Sequence, residues 1–186
     1  MPAAPSTVFT PGLQQVCGSN GDPMDVSGVQ IVTSASFTRP ADTNAYVSQD
    51  VVSNSTTAAT LLTFAGAGRT NGGTGLIFSA RHMKSSTVVA NFRLHLYRVN
   101  TIAVINDNAQ FSLLYANRAH RIGFIDFNHQ QGGTGSDSTS ALTPFTNLPF
   151  VCDAAASAIY GVLTTTGGYT PTSGEQHYIE LSIAQN

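Results

Sequence analysis

From Val29 onward the chain alternates apolar and polar residues in short runs. In the clearest, residues 91 to 98, Phe92, Leu94 and Leu96 fall on one side and Arg93, His95 and Tyr97 on the other. Successive side chains of a strand point to opposite faces, so this run predicts a strand with one face in a core. The last run behaves alike, with Ile179, Leu181 and Ile183 alternating against Tyr178, Glu180 and Ser182. Further runs rich in β-branched and aromatic residues, bounded by Gly, Asn, Asp, Pro or Ser, predict strands over 29–38, 45–53, 59–65, 75–83, 110–116, 121–127 and 158–165. None reads as a helix. Eight or nine antiparallel strands must bury two apolar faces against each other, which predicts a β-sandwich. The chain has no Trp and cannot make the immunoglobulin Cys-Trp-Cys pattern, so a jelly roll is the expected form.

Two stretches break the pattern. Residues 1–28 carry Pro2, Pro5, Pro11 and Pro23 with Gly12, Gly18, Gly21 and Gly28 and keep no period, which predicts an extended N-terminal arm ahead of a sandwich domain at 29–186. Val8, Phe9, Leu13 and Val16 are too apolar for a solvated tail, so the arm is expected to lie on its own domain or on a neighbouring subunit. Residues 128–150 hold Gly132, Gly133, Gly135, Ser136, Ser138, Thr139 and Ser140, then Pro144 and Pro149. They predict a long connection, mobile in its glycine half and packed down through Phe145, Leu148 and Phe150, and a candidate contact surface.

The 186 residues suit one domain with an arm. Charged residues are only 10%, and Ser and Thr, about a fifth of the chain, supply the polar surface that Glu, Lys and Arg usually give. Lys84 is the only lysine, and the net charge is -2, so no basic field exists to hold nucleic acid or an anionic membrane. No run approaches the roughly 20 apolar residues of a membrane span, and Met1 to Pro5 do not open a secretory leader, so a soluble, unexported protein is expected. A charge-poor surface suits a protein packed against other subunits. Cys17 and Cys152 make no disulfide framework and read as two buried thiols, with a clamp from arm to body as the alternative.

Candidate chemistry is sparse. His82, His95, His120, His129 and His177 show no metal-binding spacing and read as ordinary surface histidines, although His82, His95 and His177 would meet on the outer face of a sheet if their strands were neighbours. Glu175 and Glu180 are the only glutamates and the aspartates sit in turn contexts, such as Asn106-Asp107-Asn108, so no carboxylate pair for hydrolysis stands out. Neither a serine-nucleophile elbow nor a phosphate loop is present, the glycine clusters at 66–69 and 72–75 reading as turns. A non-enzymatic protein without metal or cofactor is expected. Arg39-Pro40-Ala41-Asp42 reads as a structural corner in which Pro40 sets a turn and Arg39 braces it by pairing with a carboxylate.

Ser36-Phe37-Thr38-Arg39-Pro40-Ala41-Asp42-Thr43-Asn44-Ala45-Tyr46, continued by Gln49-Asp50-Val51-Val52, resembles a segment of small virion proteins of tailed bacteriophages. Gly75-Leu76-Ile77, Ala80-Arg81 and Asn91-Phe92-Arg93-Leu94-His95-Leu96 extend the resemblance over roughly 29–127. It implies a head decoration, or cement, protein: a jelly-roll-like module on the outer capsid surface of the virion, often a homotrimer, made in the host cytoplasm and tying major capsid protein subunits together. No binding residue transfers with it. The residues read for capsid docking are those of the arm, Val8, Phe9, Leu13 and Val16. A second class is a carbohydrate- or receptor-binding module of a head or tail fibre, with Tyr97, Tyr169 or Tyr178 exposed to stack on sugar rings.

Overall fold

The computed structural model describes residues 29–186. It contains ten strands: β1 (Val29–Thr38), β2 (Val51–Val52), β3 (Leu62–Phe64), β4 (Thr74–Lys84), β5 (Phe92–Tyr97), β6 (Arg121–Phe127), β7 (Gln130–Gln131), β8 (Thr139–Val151), β9 (Ile159–Thr165) and β10 (Gln176–Gln185). One sheet has the order β1-β10-β4-β8-β7 and the other β2-β9-β5-β6, with β3 also pairing β9. All pairings are antiparallel. The chain changes sheet after β1, β3, β4, β6, β8 and β9, so apart from the β5–β6 and β7–β8 pairs, neighbours in a sheet are not consecutive in the sequence. That interleaving is a jelly roll, and the expected all-β sandwich is the fold observed.

The two inner faces meet in one core. The first sheet contributes Ile77, Ala80, Ile179, Leu181 and Ile183, and the second Phe64, Phe92, Leu94, Leu96, Ile125, Phe127, Ile159 and Leu163. Gly161 marks where the packing leaves no room, since a Cβ there would meet Leu94 Cδ1 at 2.8 Å. The outer face of the second sheet is covered too: Val51, Tyr97, Val99, Ile102 and Val162 form a smaller cluster, and His95 stacks on Phe111 with ring centroids 4.1 Å apart. The segment between β5 and β6 therefore acts as a third layer over that face. Alternation alone assigns His95 and Tyr97 to solvent, and the structure buries both.

Three expectations need correction. The strand expected over 110–116 is a single bridge, Gln110 to Asp50, followed by a 3-10 turn at Tyr115–Asn117; its apolar residues serve the covering layer. The strand expected over 45–53 shrinks to Val51–Val52, because Gln49 adopts a positive φ of 72° and the chain turns there. The long connection at 128–150 is mostly strand. β8 pairs β4 from Thr139↔Lys84 to Val151↔Thr74, and only residues 128–129 and 132–138 lie outside strands. Its other neighbour, β7, pairs only Thr139 and Ser140, so Pro144 and Pro149 stand where β8 has an open side and a missing N–H is tolerated. Between Ile77 and Ser79 the register shifts, and Phe145 and Asn147 take positive φ values of 55° and 44°. This bulge turns Phe145 outward to 83% exposure, whereas Leu148 packs on the core and Phe150 is buried.

Candidate functional site

The interior is polar at one end. Extending the β10 alternation Ile183, Leu181, Ile179 one step back places His177 on the core face, and Lys84 and His82 follow Ala80 inward on β4. His177 and Lys84 are register partners. His82 Nε2 lies 3.0 Å from His177 Nδ1, and His82 Nδ1 lies 2.9 Å from Nε2 of His129, just beyond β6. His129 Nδ1 is 3.0 Å from Thr139 Oγ1. At the other end His177 Nε2 sits 3.2 Å from Glu175 Oε1, off the line of a good hydrogen bond. Lys84 Nζ donates to Glu175 Oε2 at 3.2 Å, and Tyr169 Oη to Glu175 Oε1 at 3.2 Å. Phe92 and Phe127 of the second sheet close over His82, and Phe37 stacks on His177.

Burial sets the protonation of this group. It pushes His82 well below the ordinary histidine value, with His177, His129 and Lys84 adding to the shift. His129 is lowered to about 4 by burial and by the Lys84 and His177 charges, and His177 is lowered by burial against the opposing pull of Glu175. Burial alone would raise Glu175, but the His177 N–H and the Lys84 ammonium hold it down to about 2. Burial lowers Lys84 while Glu175 opposes it. At neutral pH the cluster is a buried Lys84–Glu175 ion pair joined to three neutral imidazoles.

A second buried cluster adjoins the first. The Arg39 amide continues the β1 ladder by donating to Glu175 O at 2.9 Å, and its guanidinium turns inward. Nε donates to Tyr46 Oη at 2.5 Å, and one terminal nitrogen reaches Asp107 at 3.1 Å and Asp42 at 3.2 Å. Asp107 also accepts from Tyr46 Oη at 2.6 Å and from the Ser53 amide at 2.8 Å. Arg39 braces the corner as expected, and its main counter-ion is Asp107, 68 residues away. Tyr46 and Tyr169 stack at 5.1 Å and join the two clusters.

The outside differs. β6 is the open edge of its sheet, and beside it runs a groove of about 510 Å³ lined by Leu113, Leu114, Tyr115, Arg118, Arg121 and Phe124, among others. Tyr115 is 80% exposed and Phe124 also faces solvent. Arg118 lies over the Tyr115 ring at 4.4 Å and Arg93 over Phe124 at 4.1 Å, and Arg93 is tied to Asp126 by two hydrogen bonds of 2.6 and 2.8 Å.

Val8, Phe9, Leu13, Val16 and Cys17 lie outside the described residues; Cys152 is buried. Of the three tyrosines read as a sugar platform, Tyr97 and Tyr169 are buried and only Tyr178 reaches solvent, because Tyr97 lies under the covering layer and Tyr169 caps Glu175. Four of the five histidines are buried rather than surface groups: His82 and His177 meet inside the sandwich rather than on an outer face, His129 completes the chain, and His95 lies apart under Phe111, while His120 is half-buried. Among the described residues, no group of three His, Cys, Asp or Glu is placed to hold a metal ion, and no helix is long and apolar enough to cross a membrane.

Fold and interior define a jelly-roll sandwich with two internally paired polar clusters. No protein-family model matches the sequence, and no curated protein matches it. Among solved structures the chain is similar to a chain of the Israeli acute paralysis virus full particle (15% identity, 98% of this chain and 83% of that chain covered, TM-score 0.31). It is similar also to chains of deformed wing virus, a honeybee pathogen (12%, 100% and 54%, 0.31), and of black queen cell virus (12%, 99% and 90%, 0.25). None of these alignments assigns a residue a role.

Proposed function

We propose that this chain is a non-enzymatic structural protein of a virion, a decoration or cement protein of a tailed-phage head that binds the outer capsid surface and ties major capsid protein subunits together. The observation that supports this most is the division between interior and exterior. The buried charges of Arg39, Asp50, Lys84, Asp107 and Glu175 are all engaged by internal partners, while Leu113, Leu114, Tyr115, Phe124, Leu142 and Phe145 are left on the surface of a charge-poor sandwich. Exposed apolar groups of this kind gain by burial against another subunit. In this reading the groove beside β6 and the arm residues Val8, Phe9, Leu13 and Val16 are the contact groups. The protein acts as a homo-oligomer, most simply a trimer, whose arms add their modest contacts. The sequence resemblance over 29–127 points the same way.

The test is to add purified protein back to phage heads that lack it and to count copies per capsid subunit. Saturable binding at a fixed symmetric ratio supports the proposal, and Tyr115→Ala with Arg118→Glu should cut occupancy at least tenfold without changing the fold. Absence of binding to heads, together with retention on a glycan surface, would establish the receptor-binding alternative instead.

A further inference from the structure

The histidine chain ends in the root of a hairpin. β7 and the start of β8 pair only through Gln130↔Ser140 and Gln131↔Thr139, and both glutamines are exposed. Residues 132–138 turn between them with Gly133 and Gly135 at φ 101° and 92°. A ladder this short holds weakly on its own. His129 fixes it, since its amide donates to Asn91 Oδ1 at 3.0 Å while its ring spans from Thr139 to His82.

The Glu175 carboxylate, 3.2 Å from His177 Nε2, selects one order of the ring nitrogens. A carboxylate only accepts, so the His177 nitrogen facing Glu175 carries the proton. His177 Nδ1 then accepts from His82 Nε2, His82 Nδ1 from His129 Nε2, and His129 Nδ1 from the Thr139 hydroxyl. With all three rings neutral every junction holds one donor and one acceptor, and one added proton still leaves each junction matched, because the Thr139 hydroxyl can turn to accept from His129 Nδ1. That proton is a cation sealed among the Phe37, Phe92 and Phe127 rings beside Lys84, and a second one sets two N–H groups face to face at 2.9 to 3.0 Å.

The surroundings offer no compensation. The charges that face the chain are Lys84 from β4, Glu175 from the segment before β10 and, beyond β1, Arg39. Glu175 already answers Lys84 and Tyr169, and Phe37, Phe92 and Phe127 fill the other sides.

We propose that His129, His82 and His177 form an acid-operated latch that, when neutral, clamps the root of the 130–140 hairpin into the sandwich and, when protonated, releases the hairpin while the two sheets stay paired. The latch does not depend on the capsid reading. The depressed value of His129, about 4, agrees with it. A released His129 regains its ordinary affinity for protons, so each histidine freed favours the open hairpin tenfold per pH unit below about 6.5 until the closed-state value is reached.

Amide exchange on the full chain, corrected for intrinsic rates, between pH 7.5 and 4.5 tests this. Protection at Gln130, Gln131 and Ser140 should fall about tenfold per pH unit below about 6.5, with Leu94 and Val162 in β5 and β9 still protected. A flat profile at the hairpin, or loss at β5 and β9 in the same opening events, would overturn the latch. His129→Gln should lower hairpin protection at pH 7.5 and flatten its pH slope by one proton, whereas His120→Gln, outside the chain, should change neither. Should His129→Gln not fold, nitrogen NMR of the wild-type rings decides. The alternating tautomers above, persisting below pH 6, support the latch, and an ordinary histidine titration at His82 or His129 refutes it.

Discussion

The two buried polar clusters stand side by side, joined by the Tyr46–Tyr169 stack, and solve burial in opposite ways. At the corner, Arg39 and Asp107 remain ions with complementary hydrogen bonds; Arg39 is pushed up because the Tyr46 and Asp107 contacts outweigh the burial that lowers it. In the histidine chain burial is met by neutrality, with a single ion pair at one end. An ion pair takes up no proton across the physiological pH range, whereas a chain of buried neutral imidazoles gains an unanswered charge when a proton is added. The same sandwich thus holds, side by side, one cluster indifferent to mild acid and one sensitive to it.

The sharpest way to break the contrast is to remove one ion from the corner. Asp107→Ala strands the Arg39 guanidinium and should destabilise the fold by about 3 to 5 kcal/mol, by the same amount at pH 8 and pH 6 in urea unfolding. Acid acts on the histidine chain instead. Because the folded values of His82, His129 and His177 lie below the unfolded one, the unfolded chain binds more protons once pH drops below about 6.5, and stability falls from there. His129, lowered to about 4, should by itself account for about 3 kcal/mol by pH 4. His95, also lowered to about 4 by burial and by Arg121 and Arg93, adds a second share that His95→Gln should remove. Glu175, held near 2, loses its contribution only as pH falls from about 4.5 toward 2, so the two windows separate in a pH-dependent melting series.

Smaller changes sharpen the comparison. Thr139→Val takes the terminal donor from the chain without altering any charge and should cost about 1 to 2 kcal/mol through the unpaired His129 nitrogen, visible as a lower melting temperature at pH 7.5. Arg81→Ala removes the exposed pair with Glu180, 2.7 Å long, and should cost under about 1 kcal/mol, less in high salt. Deleting residues 2–28 should leave the melting temperature of the isolated protein nearly unchanged. Unfolding of the truncated protein would instead make the arm part of the core.

Much of this protein follows from its sequence alone. Period-two alternation around Phe92, Leu94 and Leu96 and around Ile179, Leu181 and Ile183 determines strands with one apolar face, and strands of that kind without helices must pair face to face. Even the polar core had a signal: the alternation that buries Ile179 also buries His177, and the one that buries Ala80 buries His82 and Lys84, but a histidine or lysine at the end of a strand reads as solvent when its partners are unknown. Tertiary structure alone decided the rest, because the deciding contacts join residues distant along the chain. Asp107 looks like a turn aspartate until folding sets it against Arg39, and Tyr97 looks exposed until the 99–111 segment covers it. Likewise, His129 looks like a loop residue until a change of sheet carries it between His82 and Thr139. Local pattern fixes which face of a strand seeks burial; which side chains meet there, and whether a charge finds its partner or an imidazole must stay neutral, is set by the order in which the jelly roll interleaves its strands.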